Sequence, residues 1–365
     1  MNSNRPYKQV LDFLNETIEQ LNNKPNHKLP SERMLAIKFN ASRRSIRLAY
    51  DKLIAQKLVV KVHGKGHFTT GYNKSGNDTH HLSTKEIYLI IPALRSEFTH
   101  DILIGISDFC EKHSLELSLK ISKGDLALES KYINMALKSD AKGVILFPID
   151  NELRNTEILK LSERRYPLTI IDRYFKNINA SFVATDNQNA MRNAIKFLKN
   201  KKIKSFVYLT APLSLATTIE ERMNGFKKGV EEYYEKQPDD SILFMDNFTP
   251  TTIYDRFEQY LKSHPLPQVI ITPGVQHIVD SLLFVLNRKN ISPTKNVKLM
   301  LFDNDLSFDT ISKLKPYIIK QRAYQIGYES SALLYNQIYG DLRTESKLFP
   351  ADIFDYSKNI KFVKI

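Results

Sequence analysis

Residues 28–68, KLPSERMLAIKFNASRRSIRLAYDKLIAQKLVVKVHGKGHF, decide how the first part of the chain folds. Ser31 and Ser42 stand where helix N-caps are needed, ahead of "ERMLAIKF" and "RRSIRLAYDKLIA". The short "NAS" between these two stretches reads as a tight turn, and the second helix of the pair should run to about Ala55. Upstream, Val10, Phe13, Leu14, Ile18 and Leu21 recur at helical spacing until "NNKPNHKLP" ends the pattern. Downstream, "LVVKVHGKGHFTT" alternates like two short strands around Gly64-Lys65-Gly66. Three helices and a hairpin predict a winged helix-turn-helix over residues 1–70.

The third helix carries an electrostatic anomaly. Arg43, Arg44 and Arg47 crowd its first turns, where the helix dipole is positive and cations are disfavoured. At 100° per residue they share one arc, while Ile46, Ala49, Tyr50 and Leu53 share another and should pack inward. A solvated basic face is the ordinary explanation of such a run. Three features oppose it: the cations sit at the unfavourable end, they follow a helix–turn, and a Gly-containing basic wing comes next. Helix N-termini attract phosphate, and arginine pairs in bidentate fashion with guanine or phosphate. Double-stranded DNA would supply the missing negative charge, and recognition helices of this motif present their N-terminal residues to the major groove.

The charge distribution points the same way. Of the net +13, residues 1–75 hold +9, from 14 Lys+Arg against 5 Asp+Glu, and the remaining 290 residues only +4. A compact basic segment on a nearly neutral body suggests a nucleic-acid module joined to something else. The one cysteine, Cys110, excludes an intramolecular disulfide and a multi-cysteine metal site. Its neighbours Ile106, Phe109 and Leu115 make it a structural thiol. No metal or other cofactor is expected. The polar start MNSNRPYKQV lacks the apolar core of a signal peptide, and no apolar run approaches a membrane span, so a soluble cytoplasmic protein is expected.

Residues 71–84, polar and rich in Gly, Asn and Ser, read as a linker. Beyond them the pattern becomes alternating strands and helices. Strand-like runs occupy 86–91, 115–121, 143–147, 168–172, 205–210, 268–272 and 297–302, most separated by amphipathic stretches. This is the pattern of parallel α/β sheets, and residues 85–365 are long enough for two similar lobes around a cleft. Ligands of such sheets bind at the carboxyl ends of strands, here "IIPALRSEF", "LFPID", "IIDRYF", "ITPG" and "FDND".

The stretch 28–68 closely resembles the GntR-family winged helix-turn-helix, with its LPSE-R-x-LA, SR-x-[TS]-[VI]-R and G-x-G-x-[FY] pattern. The resemblance implies DNA contacts from Arg33 on the second helix, from Ser42, Arg43, Arg44 and Arg47 on the third, and from His63, Gly64 and Lys65 at the wing. Ala41 departs from the β-branched residue common there, and Arg44 occupies a position that varies in the family. Residues 86 onward resemble instead the effector domain of the lac-repressor and periplasmic sugar-binding class. "PLTIIDRYF", "VATDNQNAMRNAIKFLKNKKIKSFVYL", "ERMNGFKKGV" and "LMLFDND" followed by "LKPYIIKQRAYQIGYESSALLYNQIYG" carry that likeness in order. A GntR head on such a body is the arrangement of arabinose-repressor-like regulators.

The second resemblance implies effector contacts. Arg222 matches the arginine that holds sugar hydroxyls or a carboxylate, and Asp303 the acidic residue that accepts hydroxyl protons from the opposite lobe. Asp172 is a third candidate, with a hinge salt bridge to Arg173 as its alternative role. Phe98 and Phe147 stand at strand ends and would supply stacking surface or ordinary core. Such a set suits a polyol: charged groups bind hydroxyls and aromatic faces cover C–H surface. One departure is marked. Where the class has "ANDxxA", this chain has "TPGVQHI", so that either Gln276 or His277 compensates for the missing pair or the ligand differs from the usual sugars of the class.

The sequence therefore predicts a ligand-responsive DNA-binding regulator, a homodimer released from its operator by a monosaccharide or derivative. A periplasmic-type sugar-binding sensor would share the body but has no use for the basic head. An enzyme is the third class. No P-loop, nucleophile elbow or metal-ligand spacing supports it, and the Gly64-Lys65-Gly66 turn lies in a wing rather than between strand and helix.

Overall fold

A computed structural model describes residues 5–21, 24–56, 58–62, 65–70, 85–149, 156–175, 178–212, 217–235, 239–340 and 343–357. The chain divides into two compact units, Met1–Ser83 and Thr84–Ile365. The stretch 71–84 read as a linker lies outside the described residues.

In the first unit, α1 (Arg5–Gln20), α2 (Glu32–Lys38) and α3 (Arg43–Ala55) precede the strands β1 (Val59–Val62) and β2 (Gly66–Thr69). Both predicted caps form: Ser31 accepts from the Met34 amide at 3.2 Å and Ser42 from the Ser45 amide at 3.1 Å. These bonds satisfy amides that the first helical turn leaves without intrahelical partners. The apolar arc of α3, Ile46, Ala49, Tyr50 and Leu53, is buried against Val10, Leu14, Ile18 and Leu35. The antiparallel wing runs in register from Val59↔Thr69 to Val62↔Gly66. Segment 27–29 lies along β2, with Leu29 donating to the His67 carbonyl and Thr69 to the His27 carbonyl, both at 2.9 Å.

The second unit contains two six-stranded sheets with the same plan. Lobe 1 comprises β3 (Glu86–Ile91), β4 (Glu116–Ile121), β5 (Gly143–Leu146), β6 (Leu168–Ile171), β7 (Ser181–Thr185) and β13 (Ser346–Phe349), in the order β13-β7-β6-β5-β3-β4, all parallel. Lobe 2 comprises β8 (Phe206–Thr210), β9 (Ile242–Phe244), β10 (Val269–Pro273), β11 (Lys298–Phe302), β12 (Tyr317–Lys320) and β14 (Asp352–Asp355). Its order is β14-β12-β11-β10-β8-β9, parallel except for the β12–β14 pair.

Helices cover both faces of each sheet, so residues of one strand alternate between two cores, as the period of two requires. In lobe 1, Ile87, Leu89 and Ile91 face one core and Tyr88 and Ile90 the other. In lobe 2, Phe206 and Tyr208 pack with α7 (Asn187–Asn200) and α8 (Thr217–Tyr234). Val207 and Leu209 of the same strand pack with α9 (Pro250–Ser263) and α10 (Gln276–Arg288).

The chain crosses between lobes three times: from β7 to α7, from β12 to α12 (Ala323–Tyr339), and from β13 to β14. The crossings are tied to one another. Arg322 holds Asp352 with two bonds of 2.9 Å, Thr185 Oγ1 donates to Gln321 Oε1 at 2.5 Å, and the Asp186 amide donates to the Phe349 carbonyl at 2.8 Å. A bundle of this kind is the arrangement of a hinge, because few backbone torsions join two independently packed bodies.

Five strands lie outside the runs read from sequence: β7, β9, β12, β13 and β14. They have three to five residues each, and β13 is largely exposed at a sheet edge. Short strands and wet edges carry too little apolar periodicity to be seen. Among the described residues no helix is long and apolar enough to cross a membrane.

Candidate functional site

The inter-lobe site is built at strand ends. Asp172 follows β6 and Asp303 follows β11, the equivalent strand of the other sheet. Both aspartates take left-handed backbone, φ +65° and +63°, a conformation that Asp tolerates better than most residues. Each backbone amide closes onto the neighbouring strand, Asp172 to the Val183 carbonyl at 3.0 Å and Asp303 to the Ile319 carbonyl at 2.8 Å.

Arg222 lies one turn into α8. Its Nε donates to Asn187 Oδ1 at 2.8 Å, and its guanidinium covers the Phe302 ring at 3.6 Å from the centroid. The position of α8 depends on Gly225: a Cβ there would stand 2.0 Å from the Gln188 carbonyl oxygen on α7, so any side chain would force the helices apart. Asp303 accepts from Gln321 Nε2 at 2.6 Å and from the Gln321 amide at 3.3 Å. Burial pushes the Asp303 carboxyl up to about 6; Arg222 and the Gln321 bonds oppose the rise, and Asp172 adds to it.

On the lobe 1 side, Phe98 and Phe147 meet edge to face at 6.3 Å, and both also pack in the lobe 1 core. Arg173 reaches Asp172 at 3.7 Å, donates to the Pro148 carbonyl at 3.1 Å and lies 5.2 Å from the Phe147 ring. The salt bridge considered for Asp172 is thus present, and its partner arginine borders the aromatic pair. Tyr174 joins the lobes by donating to Glu221, whose carboxylate also accepts from Asn187 Nδ2 at 3.3 Å. A second bridge links Lys320 to Glu97 at 2.7 Å, and the Glu97 amide to Asp305 Oδ1 at 3.1 Å.

Gln276 follows the end of β10. It is exposed on the first turn of α10 and spends its amide on Asp280 at 2.8 Å; His277 is exposed beside it. The unusual "TPG" has a packing reason. A Cβ on Gly274 would fall 1.9 Å from the Asp303 carbonyl oxygen, while its amide donates to the Phe302 carbonyl at 2.8 Å. At the end of the same strand the fully buried Thr272 hydroxyl has no hydrogen-bond partner among the described residues.

The raised Asp303 value has a defined sign. The folded carboxyl is protonated more readily than an unfolded one near 3.8, so its ionised form opposes folding at neutral pH, and this cost shrinks as pH falls from about 6 towards 4. Ligand binding should move the opposite way if the ionised carboxylate accepts hydroxyl protons. Effector affinity is expected to fall as pH drops through about 6, and Asp303→Asn to bind weakly with a flattened profile. Calorimetric titrations across that range check this; an unchanged profile in the variant would assign the dependence to another group, such as Glu221, whose carboxyl burial also raises.

In the first unit, Arg33, Arg43, Arg44, Arg47 and Lys65 are all exposed. The Ser42 hydroxyl, assigned to DNA by resemblance, forms the α3 cap and shares a 3.0 Å bond with Ser45 Oγ. His63 and Gly64 lie outside the described residues. Arg47 is not a free cation: its Nε donates to Glu32 Oε2 at 3.1 Å. Sequence reasoning missed Glu32, Asn187, Glu221, Phe302 and Gln321 as members of these sites. Only Phe302 left a signal, its place beside Asp303 in "LFDND"; the others act across 15 to 35 residues or more of chain.

Two like lobes hinged by three crossings, with charged and aromatic side chains converging between them, define a ligand-binding receptor of the periplasmic-binding type, following a winged helix-turn-helix in the chain. Residues 87–342 match the periplasmic binding protein domain, and the chain belongs to that family; residues 6–68 match the bacterial regulatory proteins of the gntR family. The chain is 24% identical over 326 residues to the arabinose metabolism transcriptional repressor of Halalkalibacterium halodurans, covering 88% of this chain and 86% of that protein. It is 20% identical over 257 residues to the probable HTH-type transcriptional regulator EndR of Paenibacillus polymyxa, covering 68% and 72%. Among solved structures, the transcription regulator CcpA of Lactococcus lactis superposes with a TM-score of 0.63 at 16% identity, covering 74% of this chain and 98% of that one.

Proposed function

We propose that this protein is an effector-controlled transcriptional repressor. It binds an operator in double-stranded DNA as a homodimer, and a monosaccharide or derivative bound between the lobes releases it. The observation that carries the reading is the pairing of two sites in one chain: exposed arginines at the capped start of α3, and Arg222 with Asp303 and Phe302 at the hinged strand ends. Guanidinium and carboxylate together suit a ring bearing several hydroxyls, and the aromatic surface suits its C–H faces. The repressor relative, similar along most of both chains, supports the same reading.

In this reading Arg33, Arg43, Arg44 and Arg47 contact DNA from α2 and α3 while His63, Gly64 and Lys65 belong to the wing. Residues 71–84 connect the two activities, and the protein acts in the cytoplasm, where its operator is. Arg222, Asp303 and Asp172 bind hydroxyls, with Phe98 and Phe147 as apolar wall. Gln276 would join them only by leaving Asp280.

The test is a melting-temperature screen against pentoses, hexoses, uronic acids and nucleosides, followed by a mobility-shift assay with a duplex selected from a random library. A compound that binds only the folded state raises its stability by about 2.7 kcal/mol at one hundred times its Kd. One class of polyol is expected to raise the melting temperature and release the duplex. Stabilisation without any effect on DNA binding would leave a receptor, not a repressor. Duplex affinity should also fall steeply with salt, log K against log [salt] having a slope of about −0.9 per phosphate neutralised; a flat dependence contradicts docking through α3.

A further inference from the structure

The free protein already holds Arg47 in place. Glu32 is the first residue of α2, where the helix dipole favours a carboxylate, directly after the Ser31 cap. Its own position is set by α3: the Tyr50 hydroxyl donates to the Pro30 carbonyl, and the Tyr50 ring stacks on His67 at 3.8 Å with 7° between planes. Tyr50 lies one turn after Arg47 on the same helix. The helix that carries the arginine therefore also fixes the start of the helix that carries the carboxylate.

The contact is asymmetric. The Glu32 side chain is 23% exposed and that of Arg47 65%, so the carboxylate is the more enclosed partner of the pair. The bond uses Nε, and among the described residues Glu32 is the hydrogen-bond partner that Arg47 has. An arginine held by Nε keeps its two terminal nitrogens as an outward fork, the geometry that pairs with O6 and N7 of guanine.

From this geometry we infer that Glu32 is a positioning residue for base reading: it orients Arg47 so that its terminal fork meets a guanine edge, and it contacts no base itself. The inference rests on the proposed docking of α3 on DNA. A carboxylate on a phosphate-facing surface would otherwise only repel DNA. Holding the side chain before binding spends part of the ordering cost in the free protein, which raises selectivity more than general affinity.

The experiment uses the full chain and a duplex enriched by the wild-type protein from a random library, with a scrambled duplex of equal length as reference. Glu32→Ala is expected to reduce the preference for the selected duplex about tenfold, the scale of one guanine pairing. The salt slope and the affinity for the scrambled duplex should stay within about twofold. Glu32→Gln, which keeps an acceptor oxygen, should recover part of the preference and serves in place of the alanine variant if that fails to fold. Replacing the guanines by 7-deazaguanine removes N7 and should cost the wild type most, Glu32→Gln less and Glu32→Ala least.

A preference that survives or improves in Glu32→Ala overturns the proposal, because Glu32 is then a bystander or a competitor for Arg47. An equal loss on both duplexes, with a lowered melting temperature, overturns it too, since the role is then only structural. Failure of the docking itself reads differently: the wild type would enrich no duplex, or Arg47→Ala would bind the enriched one unchanged.

Discussion

Arg47→Ala is expected to weaken operator binding on the order of a hundredfold while scarcely changing the stability of the free protein. The two halves of this expectation come from different magnitudes. A bidentate base contact discriminates by about 1–3 kcal/mol, and a dimer would lose one in each half-site. An exposed ion pair such as Arg47–Glu32, by contrast, contributes about 0.2–1 kcal/mol to folding. The alanine variant also leaves the Glu32 carboxylate facing phosphates with no cation before it. Arg47→Lys separates charge from shape: lysine keeps the phosphate attraction but has no fork, so binding to scrambled DNA should persist while the operator preference falls. Fluorescence anisotropy titrations against both duplexes measure it, and wild-type operator affinity in Arg47→Ala would remove α3 from the reading face.

Arg222→Ala should abolish the response to effector and leave effector-free operator binding within about threefold of wild type. The arginine has three contacts to lose. It donates to Asn187, covers Phe302, and is the cation that restrains the buried Asp303 carboxyl. Among the described residues Arg222 acts on Asp303 by Coulomb attraction rather than through a shared hydrogen bond, so the truncation leaves a buried carboxyl without that compensation. Asp303 in the variant should therefore titrate higher than about 6 and be a poorer acceptor at neutral pH. The ligand-induced rise in melting temperature is expected to vanish. A normal response would take Arg222 out of the effector site, and a loss of operator binding in the absence of effector would show that its role is in the fold.

Much of this protein could be read before any contact was known. Ser31 and Ser42 announced their helices because capping is local: the acceptor and the amide it satisfies are three residues apart. The strands β3, β5, β8, β10 and β11 announced themselves as apolar runs because both faces of a parallel sheet are covered. The shorter strands did not, and neither did the return of α12 to lobe 1 after the strands of lobe 2 had been laid down. That return is settled by packing: Ala323, Ile326, Leu333 and Leu334 complete the core that Ile87 and Ile102 begin more than two hundred residues earlier.

The sites divide along the same line. Asp172 and Phe147 stand out as candidates by their places at strand ends, Phe98 by following one, and Arg222 and Asp303 by the motifs that carry the resemblance, because a strand end is where an α/β sheet exposes side chains to a ligand. Their neighbours could not. The bond of Gln276 to Asp280, one helical turn away, is one such neighbour relation. Phe302, Asn187 and Gln321 became partners of Arg222 and Asp303 only because two lobes and three crossings bring them together.

The sequence alone therefore determined what depends on near neighbours: helix starts, strand faces, the basic arc of α3 and the division of the chain between head and body. Tertiary structure alone decided which polar groups face each other, the charges Arg47 with Glu32 and Asp303 with Arg222, and the amide of Gln321 with Asp303. The physical reason is range. Periodicity and capping act over three or four residues of chain, whereas a hydrogen bond or a buried charge is governed by whatever lies within a few ångströms in space, however distant in sequence.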